Sequence, residues 1–335
     1  MMSERLLIPR DLSAPAPLAP GVVQCRLAGA SMGTTWSLQA MLAPRGPSQQ
    51  QVLQAVQAQL ELVIAQMSTW QPDSLLSQYN RAAAGSWHPL PPQLFTVLDA
   101  ALTMAADSQG AFDPTIGALV NLWGFGPDPA HRDALPSTAQ LQQAQARCGW
   151  QRIVLDRTAR RVLQPGGAVL DFSGIAKGYA VDLVAQALQA LGCTSYLVEI
   201  GGELSGLGVK PDGQPWWVQL ERPPGRDSAA LRLALHGLAV ATSGDYRRFF
   251  EHDGRRYAHT IDPRSGEPLR QAPVSVTVLH RQCMVADALA TALTVLGVEQ
   301  GMAFARQRNI AALFLHDTAH GLQESMTPAL AAMLD

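Results

Sequence analysis

Strand-like runs arrive in this chain in consecutive groups, with helices between the groups instead of after every strand. That order constrains the fold more than any other feature. A parallel βαβ sheet needs a crossover after each strand, whereas strands in succession pair antiparallel. Residues 22–28 and 34–41 read as two strands around a turn from Gly29 to Gly33. In the second, Thr34, Trp36, Leu38 and Ala40 alternate with Thr35, Ser37, Gln39 and Met41. Short strands are expected at 153–156, 161–163 and 168–170. A longer group follows at 196–200, 216–220, 231–235, 238–242, 257–261 and 274–279, with a last strand at 311–316. Helices are expected at 48–65, near Tyr79 and Asn80, and at 92–107, 138–148, 173–191, 284–296 and 299–307. The expected class is α+β, with largely antiparallel sheets packed with helices in a single compact catalytic unit.

At 335 residues, 47% apolar and 16% charged, the chain can bury a substantial core and does not read as disordered. A net charge of −2, with basic pairs scattered at Arg160-Arg161, Arg247-Arg248 and Arg255-Arg256, gives no polyanion track, so no nucleic acid is expected as partner. No apolar run approaches the roughly 20 residues of a membrane helix, so no membrane span is expected. Residues 1–21 read as a flexible Pro/Ala-rich segment and 22–335 as the catalytic domain. The N-terminus shows no secretory pattern, and Cys25, Cys148, Cys193 and Cys283 form no C-x-x-C pair. A reducing, cytoplasmic location is the expectation.

Two segments carry candidate chemistry. The first runs Leu170-Asp171-Phe172-Ser173-Gly174-Ile175-Ala176-Lys177-Gly178-Tyr179-Ala180-Val181-Asp182. An apolar segment ends in an acid, a small-residue turn follows, and a helix opens with a lysine in its first turn. A helix start concentrates backbone N–H groups and the positive end of the macrodipole, which disfavours a cation unless an anion is bound there. Phosphate binding is one reading; a strand-to-helix corner capped by Ser173 is the other.

The second segment is Ala286-Asp287-Ala288-Leu289-Ala290-Thr291, an acid and a hydroxyl four residues apart in an otherwise apolar helix. On one helical face they offer hard oxygen ligands to a divalent cation such as Mg²⁺. The alternative is a helix acid with a threonine bonded to its own backbone. No lysine or arginine lies three or four residues from Asp287, so its charge needs an arginine from elsewhere or a bound Mg²⁺.

His259 stands near a strand end before a Pro/Gly turn, a position that suits either a structural or an acid–base histidine. Met32, Trp70 and Phe112 sit beside loops, where large soft or flat side chains either pack the core or stack on a heteroaromatic ligand. No Walker-type loop, dinucleotide fingerprint or zinc motif is present.

Taken in order, these segments resemble the FAD:protein FMN transferases, once known as the thiamine-biosynthesis lipoproteins. The resemblance rests on Met32-Gly33-Thr34, Met67-Ser68-Thr69-Trp70, and Phe112-Asp113-Pro114-Thr115 with Asn121 to Gly126. It continues through Asp171 to Asp182, Gly201-Gly202-Glu203, Ala241 to Arg248, His259-Thr260-Ile261-Asp262-Pro263 and Ala286 to Thr291. It implies Mg²⁺-dependent cleavage of FAD, transfer of FMN to a threonine or serine hydroxyl of an acceptor flavoprotein, and release of AMP. By the same resemblance, Asp287, Thr291 and the Gly174 carbonyl are metal ligands, and Asp171 and Lys177 hold the polar part of FAD. Met32, Trp70, Ala111, Phe112, Asp113 and Ile261 line its pocket, and His259 is the functionally required histidine. A metal-dependent FAD pyrophosphatase and a non-catalytic flavin-binding protein remain alternatives at this point.

Overall fold

Eight strands pair in strict chain order to form the main sheet, every neighbour antiparallel. They are β1 (Val23–Ser31), β2 (Thr34–Leu42), β3 (Tyr196–Ile200), β4 (Glu203–Leu207), β5 (Leu238–Gly244), β6 (Ser275–His280), β7 (Ala311–Thr318) and β8 (Gly321–Met326). The computed structural model describes residues 5–9, 13–127, 135–223, 230–244, 249–270 and 272–335. The α+β class with largely antiparallel sheet is as the strand grouping requires.

The chain divides into two compact units. The first comprises Met1–Leu62, Lys177–Gly244 and Pro273–Asp335, and holds the eight-stranded sheet. Its β1–β2 connection is tighter than the sequence implied, because Gly29, Ala30 and Ser31 belong to the strand and only Met32 and Gly33 form the turn. Both have positive φ, 52° and 72°, the backbone of a two-residue hairpin. Gly29 is required by its cross-strand partner: a Cβ there would stand 2.8 Å from the Trp36 indole nitrogen.

The polar edge strand β8 was missed by apolar patterning, since its side chains are mostly half-exposed. Within the segment read as flexible, Arg5–Leu7 pairs parallel with Leu231–Leu235, and Leu7 is fully buried. It joins a core with Trp216, Val218, Leu233, Val240 and Leu313. Residues 1–4 and 10–12 of that segment lie outside the described residues.

The Cys283–Gln307 helix is, by length and composition alone, apolar enough to cross a membrane, which the sequence reading did not anticipate. A backbone break at Gly297 (φ 75°, ψ 180°) divides it into 283–296 and 298–307, the two helices expected from sequence. Its apolar face is explained by packing on β5, β6 and β7, where Ala286, Leu289, Ala290 and Leu293 are buried.

The second unit comprises Val63–Ala176 and Asp245–Ala272. It holds the helices Leu75–Asn80, Pro92–Asp107, Gly117–Leu122 and Thr138–Gln145. A small sheet orders Trp87–Pro89, Arg161–Leu163 and Val154–Asp156, and a hairpin pairs Phe249–His252 with Arg255–Ala258. Residues 168–170, expected as a strand, make only a bridge from Val169 to Ile116. The 257–261 strand is displaced toward the N-terminus and ends at Ala258, which leaves His259 just outside it. Asp245 to Arg248, part of the Ala241-to-Arg248 motif, lie outside the described residues.

Candidate functional site

In the first unit the candidate residues collect at the start of the Ala176–Ala190 helix. This helix begins at Ala176 and not Ser173, because Phe172 to Ile175 form a turn closed by the Ala176 N–H to the Phe172 carbonyl at 2.8 Å. Lys177 therefore lies within the first helical turn. Its ammonium stands 2.5 Å from Glu203 Oε1, and Glu203 is 1% exposed. Glu203 opens β4, directly after the Gly201-Gly202 turn. A Cβ on Gly201 (φ 64°) would lie 2.9 Å from Thr34 Cγ2 and 3.4 Å from Lys177 Cδ. Thus the β1–β2 turn bearing Met32, the β3–β4 turn and the lysine come together.

Asp287 is 5% exposed, and the partner its burial demands is a backbone group. The Gly178 N–H donates to Asp287 Oδ2 at 2.9 Å. Among the described residues no lysine or arginine is ion-paired with it. Thr291 follows one turn later on the same helix and is half-buried. The approach depends on Gly178, since a Cβ there would lie 2.3 Å from the Cys283 carbonyl oxygen and 2.8 Å from Asp287 Cβ.

Sequence reading gave Asp182 no role of its own. Its Oδ1 and Oδ2 accept from the backbone N–H groups of Cys283 (2.8 Å) and Met284 (2.9 Å). Burial pushes its carboxyl up to about 6; the Asp287 charge adds to the rise and the two N–H bonds oppose it. The signal open to sequence reading was Gly178 itself, a residue that costs about 1 kcal/mol inside a helix unless a close approach requires it.

In the second unit, three acids accept from backbone N–H groups. Asp171 Oδ1 accepts from the Ser173 N–H at 2.7 Å, and Asp262 Oδ1 from the Arg264 N–H at 2.9 Å. Asp113 Oδ1 takes both the N–H and the hydroxyl of Thr115, and its Oδ2 takes the Trp150 N–H. Burial raises the Asp113 pKa against these hydrogen bonds. The Asp171 N–H donates to the Pro114 carbonyl at 2.8 Å, which brings the Phe112-Asp113-Pro114 loop and the Asp171 turn together. Asn80 holds Leu170, its amide pairing with both the Leu170 N–H and carbonyl. Gly174, next in that turn, is half-buried.

Trp70 is 53% exposed on a loop stapled by serines. Ser68 Oγ accepts from the Trp70 and Gln71 N–H groups, and the Ser74 and Ser77 hydroxyls donate to the Ser68 carbonyl. An exposed indole on an ordered loop is available for stacking. Ala111, Phe112 and Ile261 are instead buried in the protein's own interior. Ile261 packs with Ala118, Trp123 and Tyr257. His259 is half-buried at the end of an aromatic row, Trp123, Tyr257, Phe250 and Phe125, with the Phe125 ring edge-on at 6.4 Å.

Comparison with known proteins follows this geometry. The profile described as the ApbE family matches residues 32–314. An FAD:protein FMN transferase of Vibrio cholerae is 40% identical over 303 residues, covering 90% of each chain. The apo structure of Pseudomonas stutzeri flavinyl transferase ApbE superposes with a TM-score of 0.86 at 40% identity, covering 93% of this chain and 97% of its own. The flavin transferase ApbE from Vibrio cholerae gives a TM-score of 0.87 at 37% identity, over 93% and 99%. This chain belongs to the ApbE family.

Proposed function

We propose that this chain is an FAD:protein FMN transferase, which moves the FMN half of FAD onto an acceptor flavoprotein. The observation that carries the reading is the agreement of relatives of that name, 32–40% identical over most of the chain. The finer reading is ours: Mg²⁺ as cofactor, a threonine or serine hydroxyl as acceptor, AMP as leaving group, and residues 22–335 as the catalytic domain.

The donor set at Asp287 fits Mg²⁺. A buried carboxylate with one backbone N–H partner and a hydroxyl one turn later are hard oxygens. Among the described residues no group of three or more His, Cys, Asp or Glu side chains gathers, so the set calls for phosphate and water oxygens to complete it. Asp287 and Thr291 would hold the ion, which supplies neutralisation of charge on the pyrophosphate oxygens. Lys177, in the first turn of its helix and ion-paired with Glu203, would contribute its ammonium to holding the phosphates. Asp171 fixes the turn leading to that helix, and Trp70 offers its exposed face to the flavin. His259 takes the proton from the acceptor hydroxyl or holds that hydroxyl in line.

The test is intact-mass and peptide mass spectrometry of candidate flavoproteins incubated with the full chain, FAD and Mg²⁺. One FMN on a threonine or serine is the expected product. Rapid release of free FMN without any acceptor makes the chain a pyrophosphatase instead. FAD binding indifferent to Mg²⁺ and to Asp287→Asn, without turnover, makes it a flavin carrier.

A further inference from the structure

Two helices of the first unit cap one another. The Cys283–Gln307 helix has Gln282 at its N-cap position, and the Gln282 side chain makes no capping hydrogen bond. Its first N–H groups, from Cys283 and Met284, are taken by both carboxylate oxygens of Asp182 on the Ala176–Ala190 helix. In return, the early N–H of that second helix, from Gly178, is taken by Asp287 of the first. Each aspartate sits about one turn from the N–H that the other helix's aspartate accepts. The arrangement fixes the rotation and depth of one helix against the other at the residue expected to ligate the cation.

We propose that Asp182 is a positioning residue for the divalent-cation site. By clamping the helix start at Cys283 and Met284, it holds Asp287 so that Oδ2 stays on the Gly178 N–H and Oδ1 is presented to the ion. The inference rests on the reading of Asp287 as a metal ligand. An ordinary cap contributes only helix stability; a group that orients a ligand also sets the metal affinity, and its loss commonly weakens binding about 10- to 100-fold. Asparagine at 182 offers one acceptor oxygen and turns an N–H₂ donor toward the second backbone N–H, so the bidentate clamp is lost.

The experiment compares wild-type full chain, Asp182→Asn and Asp287→Asn at pH 8. Mn²⁺ binding with and without FAD is followed by electron paramagnetic resonance, alongside thermal unfolding and the Mg²⁺ dependence of FMN transfer. Asp182→Asn is expected to raise the Mn²⁺ dissociation constant about 10- to 100-fold and to shift half-maximal Mg²⁺ by a similar factor. Transfer at saturating Mg²⁺ stays near wild type, and Asp287→Asn abolishes Mn²⁺ binding. If Asp182→Asn gives unfolded protein, Asp182→Ser, which keeps one acceptor in a smaller side chain, carries the same comparison. A changed melting temperature with unaltered Mn²⁺ affinity reduces Asp182 to a cap and overturns the inference alone. A wild-type chain that binds no Mn²⁺ even with FAD present overturns the metal reading and the inference together.

Discussion

The Lys177 ammonium lies 2.5 Å from the Glu203 carboxylate, whose side chain is only 2% exposed. The pair joins the start of the Ala176–Ala190 helix to the first residue of β4, and it gives the Gly201-Gly202-Glu203 segment a physical function. Removing one partner of a buried pair leaves the other charge uncompensated. Lys177→Met is therefore expected to destabilise the fold by about 3 kcal/mol, because it removes the cation paired with the more buried member. Glu203→Gln should cost less, since Lys177 can turn to water. Urea unfolding of both variants decides the order, and midpoints equal to that of wild type would show the pair to be energetically idle.

Gly178→Ala should be among the most damaging small substitutions in the chain. The added methyl meets the Cys283 carbonyl oxygen at 2.3 Å and its carbon at 2.7 Å, both backbone atoms that cannot rotate away. Overpacking of this kind costs about 1–3 kcal/mol and here must also lengthen the Gly178-to-Asp287 hydrogen bond. A fall of several degrees in melting temperature is expected. Gly192→Ala is the control for space: a Cβ there meets nothing within 4 Å, although φ is +81°, so its cost is backbone strain alone.

What the sequence made legible was whatever depends on neighbours in the chain. The Pro92–Asp107 helix follows from its own apolar spacing, and the break at Gly297 follows from a glycine between two apolar periods. The antiparallel pairing follows from strands arriving in groups, with helices between the groups. Features set by distant partners did not show. Arg5–Leu7 is a strand only because Leu231–Leu235 receives it, and β8 is polar because it closes an edge. In the candidate site, an acid with no lysine or arginine within a helical turn pointed to Asp287, but its actual partner is an N–H more than a hundred residues away. Asp113 and Ile261 enter the pocket only through the resemblance; in the structure Asp113 gives one carboxylate oxygen to Thr115 and the other to the distant Trp150 N–H, and Ile261 packs among buried apolar residues.

Asp182 should leave a mark on the pH dependence of stability. Its pKa rises from the ordinary 3.8 to about 6, chiefly through burial. For an acid whose folded pKa is raised, the folded state binds the proton more tightly. The contribution is fully present below pH 3.8 and is lost as pH rises through about 6. The shift corresponds to about 3 kcal/mol. Asparagine does not titrate, so the stability of wild type minus that of Asp182→Asn should fall by about this amount between pH 4 and pH 8. A difference that stays flat across that range shows that Asp182 keeps its ordinary pKa.

Trp70→Ala separates stability from binding. The indole is more than half exposed, and its loop is held by Ser68, Ser74 and Ser77 and not by the ring. Little change in melting temperature is expected. Loss of one stacking partner, worth about 1 kcal/mol, should weaken FAD binding roughly fivefold. Quenching of flavin fluorescence on titration measures it, and undiminished affinity would remove Trp70 from the pocket.

His259→Ala tests the proton-transfer step by itself. The imidazole follows the last residue of the Arg255–Ala258 strand and is braced edge-on by Phe125, so removing it leaves the hairpin pairing and the Phe250–Tyr257 stack in place. The fold and FAD affinity should survive. Loss of a positioned acid–base group commonly costs about 10²- to 10⁴-fold in rate. FMN transfer at saturating FAD and acceptor should fall by that factor. His259→Gln, which keeps a hydrogen-bonding end without a neutral-range pKa, divides the two roles. Recovery of most of the rate by glutamine assigns His259 to holding the hydroxyl, and failure to recover assigns it to taking the proton. Full transfer by His259→Ala excludes both.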